Sequence, residues 1–154
     1  MASTSVDIAG LFADLVRCET RLYNAANDRL RDRHGIVTSQ FESLRFLRDH
    51  PGARVADLAA EFAIGIGATS KGIDRLERSG WVRRDPNPAD RRSSLLALTG
   101  AGSDLVTAAE DTFTELLAEL IGSAVGPAAL TATAKALSRL RAALERDQVG
   151  LPTG

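Results

Sequence analysis

A single cysteine, Cys18, stands among 154 residues, so the chain by itself forms neither an internal disulfide nor a cysteine-based zinc site. A reducing, cytoplasmic setting is expected. Long apolar runs are also missing: no uninterrupted segment approaches the roughly 18 residues of a membrane-crossing helix. The opening MASTSVDIAG lacks the basic stretch and apolar run of a secretory leader, and no membrane partner is expected. Aromatic residues are scarce, 5% against 44% hydrophobic residues overall, which favours a mostly α interior of alanine and leucine over a β-sandwich. The two histidines, His34 and His50, fall near expected helix ends, where a surface or capping role suits them better than a metal site short of partners. No metal or cofactor is expected. No catalytic triad setting or paired-carboxylate arrangement can be specified, and the chain reads as a non-enzyme of one domain, residues 1–154.

What is present is helical periodicity. Ile8, Leu11, Phe12, Leu15, Leu22, Tyr23, Ala26 and Leu30 recur at intervals of three and four, the apolar stripe of one long helix ending near Gly35. Thr38 or Ser39 is expected to cap a second, short helix with Phe41, Leu44 and Leu47 inward, ended by His50-Pro51-Gly52. A third runs from about Val55 to Phe62. The segment AIGIGATSKGIDRLERSG then sets Ile66, Thr69, Ile73 and Leu76 on one arc and Gly67, Ala68, Lys71, Arg75 and Arg78 on the other, with Gly80 ending the helix. Trp81, read as a core residue, and Val82 start a strand. Asp85, Pro86, Asn87, Pro88 and Ala89 are expected to form a loop rather than continue it. Ser94 to Leu98 is the returning strand, Thr99 caps a helix carrying Leu105 to Leu120, and a last helix carries Leu130 to Leu144.

A formal net charge of −1 gives no overall attraction for a polyanion, but the charge is unevenly placed. Residues 71–92 hold seven basic side chains against four acidic ones, +3 locally and −4 elsewhere. Two short helices joined by a turn, with a basic hairpin directly after the second, are the ingredients of a winged helix-turn-helix. The second helix offers Lys71, Arg75 and Arg78 outward, and small Gly67 and Ala68 permit close approach to base edges, where Ala68 suits a thymine methyl. Ser70 flanks that face. Arg91 and Arg92 at the hairpin tip suit a narrow minor groove, with Asp90 orienting an arginine. Gly65-Ile-Gly67-Ala-Thr-Ser70-Lys-Gly72 is not a phosphate-cradling loop, because such a loop follows a strand and this one follows a helix.

VADLAAEFAIGIGATSKGIDRLERSGWVRR followed by DRRSSLLALTGAG resembles the MarR family from helix-turn-helix through wing, most specifically in Asp90-x-Arg92 with Leu98-Thr99 after it. The long flanking helices extend the likeness over nearly the whole chain. The resemblance implies a homodimer built from N- and C-terminal helices, residues 5–34 and 100–148, around a DNA-binding part at residues 36–99. It implies a regulator, in the repressor sense, of a palindromic operator on double-stranded DNA, and a small aromatic effector bound between the two parts. Reading and resemblance together give a DNA-contacting set of Ser39, Arg54, Gly67, Ala68, Ser70, Lys71, Arg75, Arg91 and Arg92. Tyr23, His34, Phe41 and Arg45 are the expected ligand pocket. Gly65, Gly67 and Gly72 depart from a firm recognition helix, each costing roughly 1 kcal/mol relative to alanine. Two other readings stand beside this one: a winged-helix dimeric scaffold that binds no DNA, and a redox sensor using Cys18. Relatives that sense hydroperoxides pair such a thiol with tyrosines, whereas this chain has one, Tyr23, so an inert thiol is favoured.

Overall fold

The computed structural model describes residues 5–153; residues 1–4, where the segment read as leader-free begins, and residue 154 lie outside. Helix α1 spans Ile8–His34, opened by Asp7, whose carboxylate accepts the Gly10 N–H at 3.0 Å. Helix α2 spans Thr38–Asp49 and buries Phe41, Leu44 and Leu47 as its spacing predicts. Its cap differs from expectation, because the helix already begins at Thr38. The Val37 N–H is taken by Gln40 Oε1 at 3.0 Å and the Thr38 N–H by Asn27 Oδ1 of α1 at 2.8 Å, so two of the free donors at this helix start are met by side chains, one from further on and one from another helix.

Helix α3, Val55–Phe62, and helix α4, Ile66–Arg78, are joined through Ala63, which takes a left-handed φ of 51°. Thr69, Ile73 and Leu76 hold α4 on the body. Ile66, placed on that inner arc by its spacing, is instead 62% exposed; the first turn of α4 overhangs the core, which begins one turn later at Thr69. Gly80, at φ 82°, supplies the left-handed turn after α4 that side chains rarely adopt.

Strand β1, Val82–Pro86, pairs antiparallel with β2, Ser94–Leu98, in the register Val82 with Leu98 and Pro86 with Ser94. The strand therefore continues through Asp85 and Pro86, which the sequence placed in the loop. Leu96 turns its N–H to Ala53 O and its C=O to the Gly52 N–H, away from β1. Arg84–Leu96 is thus a pair without ladder bonds, and Pro86–Ser94, two residues along, is of the same kind; the missing proline donor removes nothing from the ladder.

Helix α5, Gly100–Gly122, starts where the hairpin returns. Thr99 caps it as expected, accepting the Gly102 N–H at 3.1 Å and donating to Gly80 O at 2.6 Å, while its own N–H bonds Trp81 O at 3.0 Å. Trp81 is half-buried against the core. A methyl on Gly102 would collide with the Trp81 carbonyl oxygen. Gly102→Ala is therefore expected to destabilise the fold by about 1–3 kcal/mol through overpacking, and urea denaturation would register it as a lower midpoint at unchanged slope; an unchanged midpoint would show that the junction yields freely.

Leu30, Ile36, Phe41, Leu44, Leu47, Leu58, Ile73, Leu76, Val82, Leu96 and Val106 form one core joining α1 through the hairpin to α5. Helix α6, Pro127–Arg146, stands apart from it: it turns 114° from α5 and buries none of its residues. Arg141 ties it to α3, bonding Glu61 at 2.6 Å, and holds Glu145 of its own helix at 2.6 Å. Among the described residues no single helix is long and apolar enough to cross a membrane; the bent pair α5 and α6 reaches that length and composition jointly.

Candidate nucleic-acid interface and adjoining cleft

With Thr69, Ile73 and Leu76 facing the core, α4 turns Gly67, Ala68, Lys71, Arg75 and Arg78 to solvent, the arc the periodicity assigns to them. Ser70 is half-buried beside it. Gly65 precedes the helix without a side-chain cap; Thr69 Oγ1 donates to the Gly65 carbonyl at 2.9 Å, leaving the first N–H groups of α4 open toward solvent. Such an end suits an anion.

The acids of this region are already engaged. Arg84, on β1, holds both Asp74 and Glu77 of α4, and Arg83 holds Asp85 at 3.3 Å. The Asp90 carboxylate accepts the backbone N–H of Arg92 at 2.9 Å. Asp90, expected to orient an arginine, thus meets Arg92 through its backbone and shapes the loop there, as a short carboxylate two residues ahead of a donor readily does. Asn87 completes the tip, its Oδ1 accepting the Ala89 N–H at 3.0 Å and its Nδ2 donating to Ser93 Oγ at 3.2 Å. Two strand arginines thus neutralise three acids. Lys71, Arg75, Arg78, Arg91 and Arg92 form no ion pair among the described residues, and all five are exposed.

The other residues singled out by sequence fall in three places. Ser39 lines a small cleft, about 250 Å³, together with Ala68 and Arg75, so the start of α2 adjoins the exposed face of α4. Arg54 precedes α3 and is held by Asp57, whose carboxylate accepts the Arg54 N–H at 2.8 Å and meets the guanidinium at 3.3 Å; that backbone bond first, and the guanidinium second, hold the Asp57 carboxyl below its ordinary range. Cys18 is exposed on α1.

A second, mostly apolar cleft of about 530 Å³ lies between α1, α2, α5 and the end of α3. Of the four residues expected to form a pocket, Tyr23 lines it. Phe41 is fully buried in the core and packs on Phe113 with ring centroids 4.8 Å apart and planes tilted by 41°. Arg45 lies over both rings, 5.5 Å from Phe41 and 6.0 Å from Phe113, and lines a neighbouring polar cleft with Arg48, His50 and Glu110. His34 is half-buried: its Nε2 meets Thr112 Oγ1 at 2.8 Å and links α1 to α5. His50 follows α2, with Nδ1 3.0 Å from the Phe46 carbonyl. The walls that sequence reading missed are Leu22, Phe62, Ile64, Phe113 and Leu117. Their apolar character was legible, but their convergence depends on how three helices cross. Beside the cleft Arg48 grips Glu110 through its two terminal guanidinium nitrogens, which holds the Glu110 carboxyl below its ordinary range and the Arg48 guanidinium charged.

Paired short helices, an exposed second helix and a basic hairpin define a winged helix-turn-helix protein. The MarR family model matches residues 37–94, from the start of α2 to the start of β2. The multiple antibiotic resistance protein MarR of Escherichia coli K12 is 33% identical over 86 residues, 53% of this chain and 60% of that protein. Its counterpart in Salmonella typhimurium LT2 is 31% identical over 109 residues, 67% of this chain and 73% of its own length. A MarR family transcriptional regulator from Streptomyces coelicolor, crystallised with DNA, superposes with a TM-score of 0.82 at 20% identity, covering 99% of this chain and 98% of that one. The chain belongs to the MarR family of transcriptional regulators.

Proposed function

We propose that the chain represses transcription as a homodimer that places α4 of each protomer in the major groove of a palindromic operator and each hairpin tip over the adjoining minor groove. One observation carries this reading: five exposed cations on α4 and the wing, Lys71, Arg75, Arg78, Arg91 and Arg92, form no ion pair among the described residues, while Arg83 and Arg84 occupy the acids interspersed with them. The +3 of this segment is thereby concentrated on one edge. Gly67 and Ala68 bring the α4 backbone near base edges, Ser39, Ser70 and Arg54 add contacts around it, and Asp90 presents the wing by fixing its backbone.

Two-fold symmetry is the second element. The first half of α1 and the leucine stripe of α6 leave isoleucine, phenylalanine and leucine side chains 40–70% exposed, and a second copy would bury them while setting the two α4 helices about 34–36 Å apart, one turn of DNA. The apolar cleft under α1, α2 and α5 lies between the helices proposed for dimerisation and those proposed for reading. A small molecule seated there would favour one spacing of the reading heads over another and release the operator by differential affinity.

Selection of bound fragments from genomic DNA, followed by fluorescence anisotropy on the selected duplex, tests the reading. The fragments should contain an inverted repeat, and log K should fall against log salt with a slope on the order of −5 to −9, the range for most of ten cations meeting phosphate. A flat salt dependence, or no enriched duplex, would leave a dimeric scaffold that does not bind DNA.

A further inference from the structure

The charge of the apolar cleft is one-sided. Two carboxylates, Glu19 from α1 and Glu42 from α2, share its wall with three aromatic rings, Tyr23, Phe62 and Phe113, and no lysine, arginine or histidine lines it. Glu42 is held from outside the lining by Arg45 at 3.1 Å. Glu19 forms no ion pair among the described residues and receives a hydrogen bond from the neighbouring Thr20 hydroxyl at 3.4 Å. At the start of α2, which also borders the cleft, the Val37 and Thr38 N–H groups are taken by the Gln40 and Asn27 side chains.

Resting on the reading of this cleft as the effector site, we propose that its ligand is an organic cation, an amine or quaternary ammonium carried on an aromatic body, and that Glu19 is the carboxylate that selects it. An aromatic body fits walls that are chiefly apolar, and a volume near 530 Å³ falls in the range of small-molecule sites. A cationic head gains from ring faces and from an unpaired carboxylate. An aromatic carboxylate of the same size meets the like charge of Glu19, which has no ion-pair partner among the described residues, and no cation among the lining residues.

Three bicyclic probes of matched size separate the possibilities: 1-naphthylmethylammonium, 1-naphthalenemethanol and 1-naphthoate, titrated calorimetrically into the full chain without DNA. The ammonium is expected to bind at least tenfold more tightly than the alcohol and a hundredfold more tightly than the carboxylate. Glu19→Gln should shrink the ammonium-to-alcohol ratio to within threefold, a ratio that loss of fold alone would not shift. The carboxylate binding as tightly as the ammonium would overturn the cation assignment while leaving the effector site standing. A preserved ratio in Glu19→Gln would overturn the role of Glu19. Silence from all three probes would overturn both, and ammonium binding that left DNA affinity unchanged would retain the cation site and remove its effector role.

Discussion

Arg75→Ala is expected to weaken operator binding by roughly 25-fold or more while leaving the fold and the dimer intact. Arg75 is exposed on α4, two residues from buried Ile73 and next to buried Leu76, so the backbone that presents it is fixed by the core rather than by the arginine. It forms no ion pair among the described residues, so its removal strands no carboxylate. Alanine costs nothing in helix propensity. The loss therefore reports what the guanidinium meets outside the chain. A base-reading arginine contributes about 1–3 kcal/mol, and two-fold symmetry counts it twice per complex. Lys71→Ala, one turn earlier on the same face, should weaken specific and random duplexes alike and lower the salt slope by about one per protomer, as a phosphate contact does. Anisotropy on the selected operator and on a scrambled duplex, with sedimentation to confirm the dimer, separates the two roles. Full affinity in both variants would sink the assignment of this face.

The residues that surprise are those whose partners are distant in sequence. The apolar intervals that set Thr69, Ile73 and Leu76 inward also set Lys71 and Arg75 outward, and periodicity alone locates the exposed face proposed to read DNA. The strand Ser94–Leu98 and the cap at Thr99 were equally local, one marked by an apolar run and the other by threonine before a helical repeat. By contrast, Thr38 is served by Asn27 from α1, His34 meets Thr112 on α5, and Arg84 crosses from the hairpin to the two acids of α4. No spacing rule announces such pairs. Pro86 was misplaced because proline is a general strand breaker; what admits it is the alternation of bonded and unbonded pairs, set by the turn of Leu96 toward Ala53. Asp90 was read through its charge, whereas its short side chain and the donor two residues on decide its role. The cleft was hardest to foresee. Tyr23 reaches it, but Phe41 and Arg45, four residues apart on α2, are drawn toward the core and the neighbouring polar cleft by Phe113.

Leu140→Lys is expected to weaken self-association at least about a hundredfold and to remove operator binding with it. Helix α6 has twenty residues and buries none of them within its own chain; Leu140 is 48% exposed, and Leu137 and Leu144 on the same stripe are similarly open. On α1, Phe12 is 67% exposed, with Ile8, Leu11 and Leu15 uncovered beside it. Helical stability in proteins comes chiefly from packing an apolar face, and an ion pair from Arg141 to Glu61 on a partly exposed surface contributes little to it. In the proposed dimer a second copy would supply the missing face. Full burial of a leucine is worth about 1.5–3 kcal/mol; lysine forfeits it and brings a charge, and a two-fold axis doubles the effect. Because the hairpin, α4 and their core residues lie elsewhere, circular dichroism should show most of the helix retained, while sedimentation velocity reports monomer at concentrations where the parent is paired. Operator affinity then collapses, since one reading head engages half a site. If Leu140→Lys sediments as the parent does, α6 is not part of the contact between copies, and the spacing of the two α4 helices must be set by other residues.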